Sequence, residues 1–284
     1  MAIDIQPIGS HFGARIAGVD FSRPIEPGTF EQIQQALTRY AVLGFCTAPI
    51  DDEQQLNFSS MFGRLHESIL DESRRRLKDR RFNDVGNLNV QGEIDRNEEA
   101  KYGDANLLWH SDLSFLSAPA KVTILSARVL PPTPPDTEFA DMRAAWAALP
   151  AARQAALEGL QVEHSVFAAR ERSGFTDFTD EERRRAPPVV HPLVRTHPQS
   201  GVKTLYLSSS AARIVGWPDD EGRALLDELT AFATQPQFVL AYKWQAGDVL
   251  VWDGAATMHR ATPFNSREHK RELHWNAVVE PIAA

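Results

Sequence analysis

The segment Trp109-His110-Ser111-Asp112 places an imidazole and a carboxylate two positions apart. In a strand or an extended turn, residues i and i+2 project to the same side, so both side chains can converge on one point. An imidazole and a carboxylate are two legs of the two-histidine, one-carboxylate facial triad, which holds Fe(II) through three ligands and leaves three positions open. The pair alone discriminates poorly. With nine histidines and 38 acidic residues in 284, roughly one such pair is expected by chance, and a structural His–Asp hydrogen bond explains it as well. Farther on, the segment Val251-Trp252-Asp253 to Met258-His259-Arg260 offers a second imidazole after a strand and a turn, with Arg267, Lys270 and Arg271 downstream. A guanidinium near a metal suits a chelating dicarboxylate, because arginine donates two parallel hydrogen bonds where lysine is a point charge.

The elements that must position these residues read as mainly β. Ile3–Ile8 and Ala14–Val19 alternate, and Phe30, Ile33, Leu37 and Tyr40 recur at helical spacing, which predicts an amphipathic helix over Thr29–Tyr40. Val42–Thr47 is β-like, and a helix capped by Asp51 or Asp52 ends before Gly63. Short strands follow at Val122–Leu130, Thr137–Asp141, Leu160–Val166, Val189–Thr196 and Lys203–Ser208, punctuated by Pro131–Pro135 and His197–Gly201. Helices are expected from Met142 to about Glu158, broken at Pro150, and from Asp219 to Thr234. The closing strands are Phe238–Trp244, Asp248–Trp252 and Glu272–Glu280. Many short strands with few helices predict a sandwich or jelly roll with helices on one side.

Between His66 and Asp104 the chain is polar and irregular, with the basic cluster Arg74, Arg75, Arg76, Lys78, Arg80 and Arg81. Such a run reads as a solvated face or mobile loop, or as a lid over a site. The chain is expected to be one domain, 1–284, with this lid or insert at 66–104.

Composition excludes several classes. A net charge of −8 disfavours a general nucleic-acid or anionic-membrane binder. The single cysteine, Cys46, excludes an internal disulfide and any all-cysteine metal site, and its apolar neighbourhood predicts a small buried side chain. No secretory signal and no apolar stretch long enough to span a bilayer is evident, so a cytoplasmic protein is expected. There is no Gly-x-Gly-x-x-Gly and no P-loop motif.

The sequence resembles the Fe(II)- and 2-oxoglutarate-dependent taurine and 2,4-dichlorophenoxyacetate dioxygenases. The matching stretches are Gly13–Asp20, Phe62-Gly63, Leu108–Asp112, Asp136–Ala145, Val194–Pro198, Trp252-Asp253 with Met258-His259-Arg260, and Arg271-Glu272-Leu273. The likeness is greatest to the aryloxyacetate-cleaving branch. It implies a double-stranded β-helix, or jelly roll, with Fe(II), 2-oxoglutarate and O2 as cofactor and co-substrates. Hydroxylation of a small organic molecule, with release of succinate and CO2, is the implied reaction; where the carbon attacked carries an ether oxygen, the ether is cleaved. His110, Asp112 and His259 are implied iron ligands. Thr137 and Arg271 are implied to hold the far carboxylate of 2-oxoglutarate, with Lys270 the alternative register for the latter. Asn106, Leu113 and His66 are candidate substrate contacts, each with a structural explanation of equal or greater weight. His164, His191 and His197 read as structural.

Departures from the pattern bear on the substrate. Trp275 stands where the aryloxyacetate branch has a second arginine, Asp71 and Glu93 fall near two of its lysines, and Gly254-Ala255 replaces Asn-Arg. A buried carboxylate beside Trp275 lacks charge-assisted partners, which points to a less anionic, aromatic or alicyclic substrate stacked on Trp275. The rival is that the Arg74–Arg81 cluster supplies the positive charge. Two other classes stay open: a zinc hydrolase on the same ligands, which leaves Thr137 and Arg271 without a role, and a non-catalytic jelly-roll binding module, which needs no iron. Asp112 disfavours halogenation, which needs that position free for halide. A small molecule is the expected partner, with no nucleic acid or membrane, and a homo-oligomer is compatible with the resemblance.

Overall fold

The computed structural model describes residues 3–9, 12–68, 75–96, 105–176 and 178–281. Arg74, Asp71 and Asp104 lie outside the described residues. In chain order the first elements are β1 (Asp4–Pro7), β2 (Ala14–Ala17), α1 (Pro27–Tyr40), β3 (Val42–Phe45), α2 (Asp52–Ser60), β4 (Asn83–Asp84), β5 (Ala120–Val129) and β6 (Thr137–Asp141). Then come α3 (Met142–Ala148), α4 (Ala151–Leu157), β7 (Gln161–His164), α5 (Val166–Arg172), α6 (Asp180–Arg185), β8 (Val189–Pro192) and β9 (Val194–Thr196). The chain closes with β10 (Lys203–Leu205), β11 (Ala211–Ile214), α7 (Asp219–Ala233), β12 (Val239–Tyr242), β13 (Val249–Asp253), β14 (Thr257–Ala261) and β15 (Glu272–Val279). No helix among the described residues is long and apolar enough to cross a membrane.

Two sheets carry the architecture. Seven strands pair in the order β1-β2-β3-β13-β5-β15-β4, and three in the order β12-β6-β14. Alternation decides which side chains face which neighbour. In β13, Leu250 and Trp252 join the core shared with Phe139 and Tyr242 of the smaller sheet. Val249 and Val251 turn the other way, onto Ile33 and Leu37 of α1 and Phe58 of α2. The far side of the smaller sheet is covered by α3 and α7 through Met258, Ala140, Trp146, Leu226 and Leu229. Trp252 and Phe139 meet edge to face at 5.5 Å, tying the two sheets together.

Local signals explain the helix limits. Pro27 opens α1, and Ala41, at φ 60, ends it with its N–H on Leu37 O. Asp51 and Gln54 form a reciprocal capping box at α2. Asp141 accepts from the N–H groups of Arg143 and Ala144 at the start of α3, and its carboxylate also holds the Arg143 side chain. The Asp-Met-Arg stretch is therefore a cap. Pro150 separates α3 from α4 as expected.

Several expectations need correction. Val189–Thr196 is two short strands, α5 begins at Val166, the expected end of a strand, and α6 and β11 fall in stretches for which no element is expected. His259 follows the strand β13 and a turn as expected, and it lies within a further strand, β14, that the sequence did not mark. Cys46 is exposed: β3 ends at Phe45, and the thiol turns outward onto the Arg15 guanidinium at 2.7 Å. The described arginines of the basic cluster are engaged, not merely solvated. Arg75 binds the Phe82 carbonyl, Arg80 the Ser68 carbonyl, Arg81 pairs with Asp79, and Arg76 pairs with Asp84 and Glu272.

Candidate metal centre

His110 joins the edge of the smaller sheet. Its N–H donates to His259 O at 3.0 Å, and the His259 N–H donates back to His110 O at 2.9 Å. That exchange of backbone bonds sets the two imidazoles side by side, with ring centroids 4.2 Å apart. Asp112 follows in the turn, where Ser111 Oγ is anchored on Leu207 O at 2.9 Å. Leu113, at φ 53, then turns the chain through a left-handed conformation that non-glycine residues seldom adopt. His110 Nε2 is 3.9 Å from Asp112 Oδ1, and His259 Nε2 is 3.8 Å from Asp112 Oδ2. Ligand atoms of the three residues all lie within 4.8 Å of one another, a grouping able to hold a metal ion.

The protonation states suit ligation. His110 Nδ1 is 2.8 Å from Leu108 O; donation there leaves Nε2 unprotonated and free for a metal. The His259 ring lies between Trp252 and Phe139, at 4.7 Å and 5.7 Å. Its burial, with His110 adding repulsion, pushes its pKa down to about 3 and keeps the imidazole in its neutral, ligand form. Its Nδ1 is buried without a hydrogen-bond partner. Asp112 Oδ2 accepts from Thr123 Oγ1 at 2.8 Å. Two imidazole nitrogens and one carboxylate oxygen fit Fe(II).

Two of the chain's crossovers between these sheets, β5 to β6 and β14 to β15, run across the same end of the sandwich. One leads from β5 through the proline-rich stretch 130–136 into Thr137, and the other leads from β14 through residues 262–270 to Arg271. Thr137 is opposite Ala261, two residues along from the Phe139–His259 pair. That step is about 6.8 Å along the strands, comparable with the reach of a five-carbon diacid. Thr137 Oγ1 accepts the indole N–H of Trp244 at 2.9 Å, so its own proton is available to a ligand. Arg271 is 5% exposed, its Nε has no partner, and burial lowers its pKa to about 10. Lys270, by contrast, is exposed and tied to Gly92 O and Glu93.

Trp275, 7% exposed, shares the inter-sheet core with Leu113, and its ring meets that of His66 edge-on at 6.2 Å. His66 is half-buried, hydrogen-bonded through its N–H to Ala277 O; burial, then the Arg64 charge, lowers its pKa. Asn106 sits half-buried in a helical turn four residues before His110. His197 bonds Asp253 Oδ2 at 2.9 Å, and Asp253 Oδ1 accepts from Ala255 and Ala256, fixing the turn between β13 and β14. Gly254 is required there, since a Cβ would sit 2.1 Å from Ala120 O. Sequence reasoning missed Thr123 and Trp244. Thr123 reaches the site from β5 and Trp244 from the turn between β12 and β13, and no local motif marks them.

Residues 4–276 match the family described as "Taurine catabolism dioxygenase TauD, TfdA family". The chain is 36% identical over 277 residues to the alpha-ketoglutarate-dependent 2,4-dichlorophenoxyacetate dioxygenase of Cupriavidus pinatubonensis, covering 96% of each chain. It is 32% identical over 288 residues to the (S)-phenoxypropionate/alpha-ketoglutarate-dioxygenase of Sphingobium herbicidovorans, covering 99% of this chain and 97% of that one. Among solved structures, AAD-2 in complex with Mn(II) and N-oxalylglycine superposes with a TM-score of 0.91 at 40% identity, covering all of both chains. These likenesses set aside the hydrolase and the binding module. The chain belongs to the taurine catabolism dioxygenase TauD, TfdA family, and it is an Fe(II)- and 2-oxoglutarate-dependent dioxygenase acting on a small organic molecule.

Proposed function

We propose that His110, Asp112 and His259 hold the iron, and that Thr137 and Arg271 hold the far carboxylate of 2-oxoglutarate. The observation that carries this reading is Arg271: a buried guanidinium with an unpartnered Nε, placed at the same end of the sandwich as Thr137. A buried cation without an anion is strongly unfavourable, and a dicarboxylate reaching from the metal supplies that anion. Bound iron, with 2-oxoglutarate and O2, supplies the oxidising chemistry that hydroxylates the substrate and yields succinate and CO2. The protein contributes ligation, a charge-matched cradle and a dry interior. The two sheets packed across one core, with the chain passing repeatedly from one to the other, support a double-stranded β-helix. We read residues 1–284 as one domain, with 66–104 as an insert whose described part docks on β15 through β4 and Asn87.

Trp275, Leu113 and His66 form the wall offered to the primary substrate, with Asn106 at the turn before His110. Trp275 brings a broad aromatic face and no charge. The engaged arginines 75, 76, 80 and 81 supply no free cation to it, and Arg64 beside His66 is exposed. This favours a neutral aromatic or alicyclic substrate. Cleavage of an aryloxyacetate is the second reading, favoured by the activities named for the relatives at 36% and 32% identity.

Anaerobic titration of the Fe(II)-loaded protein with 2-oxoglutarate tests the core of the proposal. The visible charge-transfer band should appear in the wild type and require far more co-substrate in Arg271→Ala. Absence of the band with iron bound refutes the assignment. Succinate release with 2,4-dichlorophenoxyacetate and with its neutral methyl ester then separates the two substrate readings.

A further inference from the structure

A cleft of about 460 Å³ opens at the end of the sandwich where the two crossovers pass. Pro131, Pro135 and Asp136 line it from one crossover, Thr262, Phe264 and His269 from the other. Phe264 also lies against Arg271, with the guanidinium carbon 5.9 Å from the ring centroid. The same half-buried ring thus borders both the open cleft and the buried cation.

Neither neighbour is free to move aside. The Arg271 N–H donates to Asn87 Oδ1 at 2.8 Å, and its carbonyl is packed so closely on Gly86 that a Cβ there would sit 2.2 Å away. Asn87 Nδ2 donates to Ser266 O at 2.6 Å and to His269 O at 2.8 Å, pinning the loop that carries Phe264. At the loop's start, Thr262 N donates to Asp136 O at 2.9 Å, and Asp136 N donates to Thr262 Oγ1 at 2.8 Å. Phe264 therefore stands on an anchored loop between the Arg271 guanidinium and the cleft.

Resting on the assignment of Thr137 and Arg271 above, we propose that Phe264 sets the chain length of the 2-oxo diacid that binds. The Thr137 level lies two residues along the strands from the metal level, which matches a five-carbon diacid. An added methylene extends a chain by roughly 1.3 Å, which drives the far carboxylate against an apolar ring that offers it no donor. On the other side of the ring the cleft has room, and Lys243, paired with Asp136 and 74% exposed, stands at its rim. Trimming the ring joins the two spaces and admits the longer acid.

Isothermal titration calorimetry of the Mn(II)-loaded full chain with 2-oxoglutarate and 2-oxoadipate tests this without turnover. A closed pocket discriminates one methylene by about 10- to 200-fold, so the wild type should bind 2-oxoglutarate at least about tenfold more tightly. Phe264→Ala should reduce that ratio by about tenfold or invert it, with Phe264→Leu intermediate. The leucine variant carries the test should the alanine variant fail to fold. Equal weakening of both acids, with the ratio unchanged, overturns the role of Phe264 while leaving the clamp intact. If Arg271→Met leaves 2-oxoglutarate binding unaltered, the clamp itself is wrong and this proposal falls with it.

Discussion

Thr123 Oγ1 donates to Asp112 Oδ2 at 2.8 Å, so a strand of the seven-stranded sheet steadies the carboxylate whose histidine neighbours belong to the three-stranded one. Thr123→Val keeps the shape and the β-branching at this fully buried position and deletes only the donor. Loss of such a supporting bond typically lowers metal affinity by about 10- to 100-fold. Competition of the variant against a chromophoric chelator for Fe(II) or Mn(II) should show that drop, with an unaltered far-ultraviolet spectrum. Equal affinity would remove Thr123 from the site.

Arg271 should be a burden to the protein until its anion arrives. Its pKa is lowered to about 10 by burial, well below the ordinary arginine value. The group is charged in both the folded and unfolded states below pH 10. The penalty, on the order of 3 kcal/mol, is therefore present throughout the neutral range and is relieved only as pH rises beyond about 10. Arg271→Met should accordingly raise the melting temperature of the ligand-free protein at pH 7.5. Metal with 2-oxoglutarate should raise it in the wild type and leave the variant unmoved. A variant that melts lower than the wild type in the absence of ligand contradicts this.

The residues carried on contiguous motifs were legible, and the supporting contacts assembled across sheets were not. His110 and Asp112 share one turn, and the alternation in Val249–Asp253 marks a strand with two buried faces. β14 escaped notice because it follows β13 after three residues, and because the His259–Arg260 pair interrupts its apolar pattern. Thr123, Trp244 and Phe264 gain meaning only when β5, the β12–β13 turn and the β14–β15 loop are folded around the core that holds the site. Nothing local to those residues announces it. The exposed Cys46 shows the converse limit: an apolar run does not say where a strand stops, and the residue just beyond its end can face water.

His164 should make the protein sensitive to mild acid. It is fully buried with both ring nitrogens unpartnered, packed against His191 at 5.4 Å and Tyr206 at 5.5 Å. Burial, with the charges of His191 and Arg195 adding to it, lowers its pKa to about 3. Between pH 6.5 and 3 the unfolded chain binds this proton and the folded chain does not, so stability falls as pH falls. From pH 6.5 to pH 5 the loss from this one group is about 2 kcal/mol. Urea unfolding of the metal-free protein at pH 7.5 and pH 5 should show a smaller difference for His164→Leu than for the wild type. An identical difference in the two proteins would show that His164 finds a proton acceptor in the folded state.

Trp275→Arg should exchange one substrate charge preference for another at a measurable loss of stability. The residue is opposite Leu125 in the inter-sheet core and 7% exposed, so an arginine there is largely removed from water. An unpaired buried guanidinium destabilises by several kcal/mol, which should lower the melting temperature of the variant by many degrees. A carboxylate beside it supplies the missing partner through two parallel hydrogen bonds. Added 2,4-dichlorophenoxyacetate should therefore restore much of the lost melting temperature in the variant and have little effect on the wild type. Succinate release should follow the same order: the variant should favour the aryloxyacetate over its methyl ester, and the wild type the ester over the acid. Rapid turnover of the free acid by the wild type would instead support the aryloxyacetate reading.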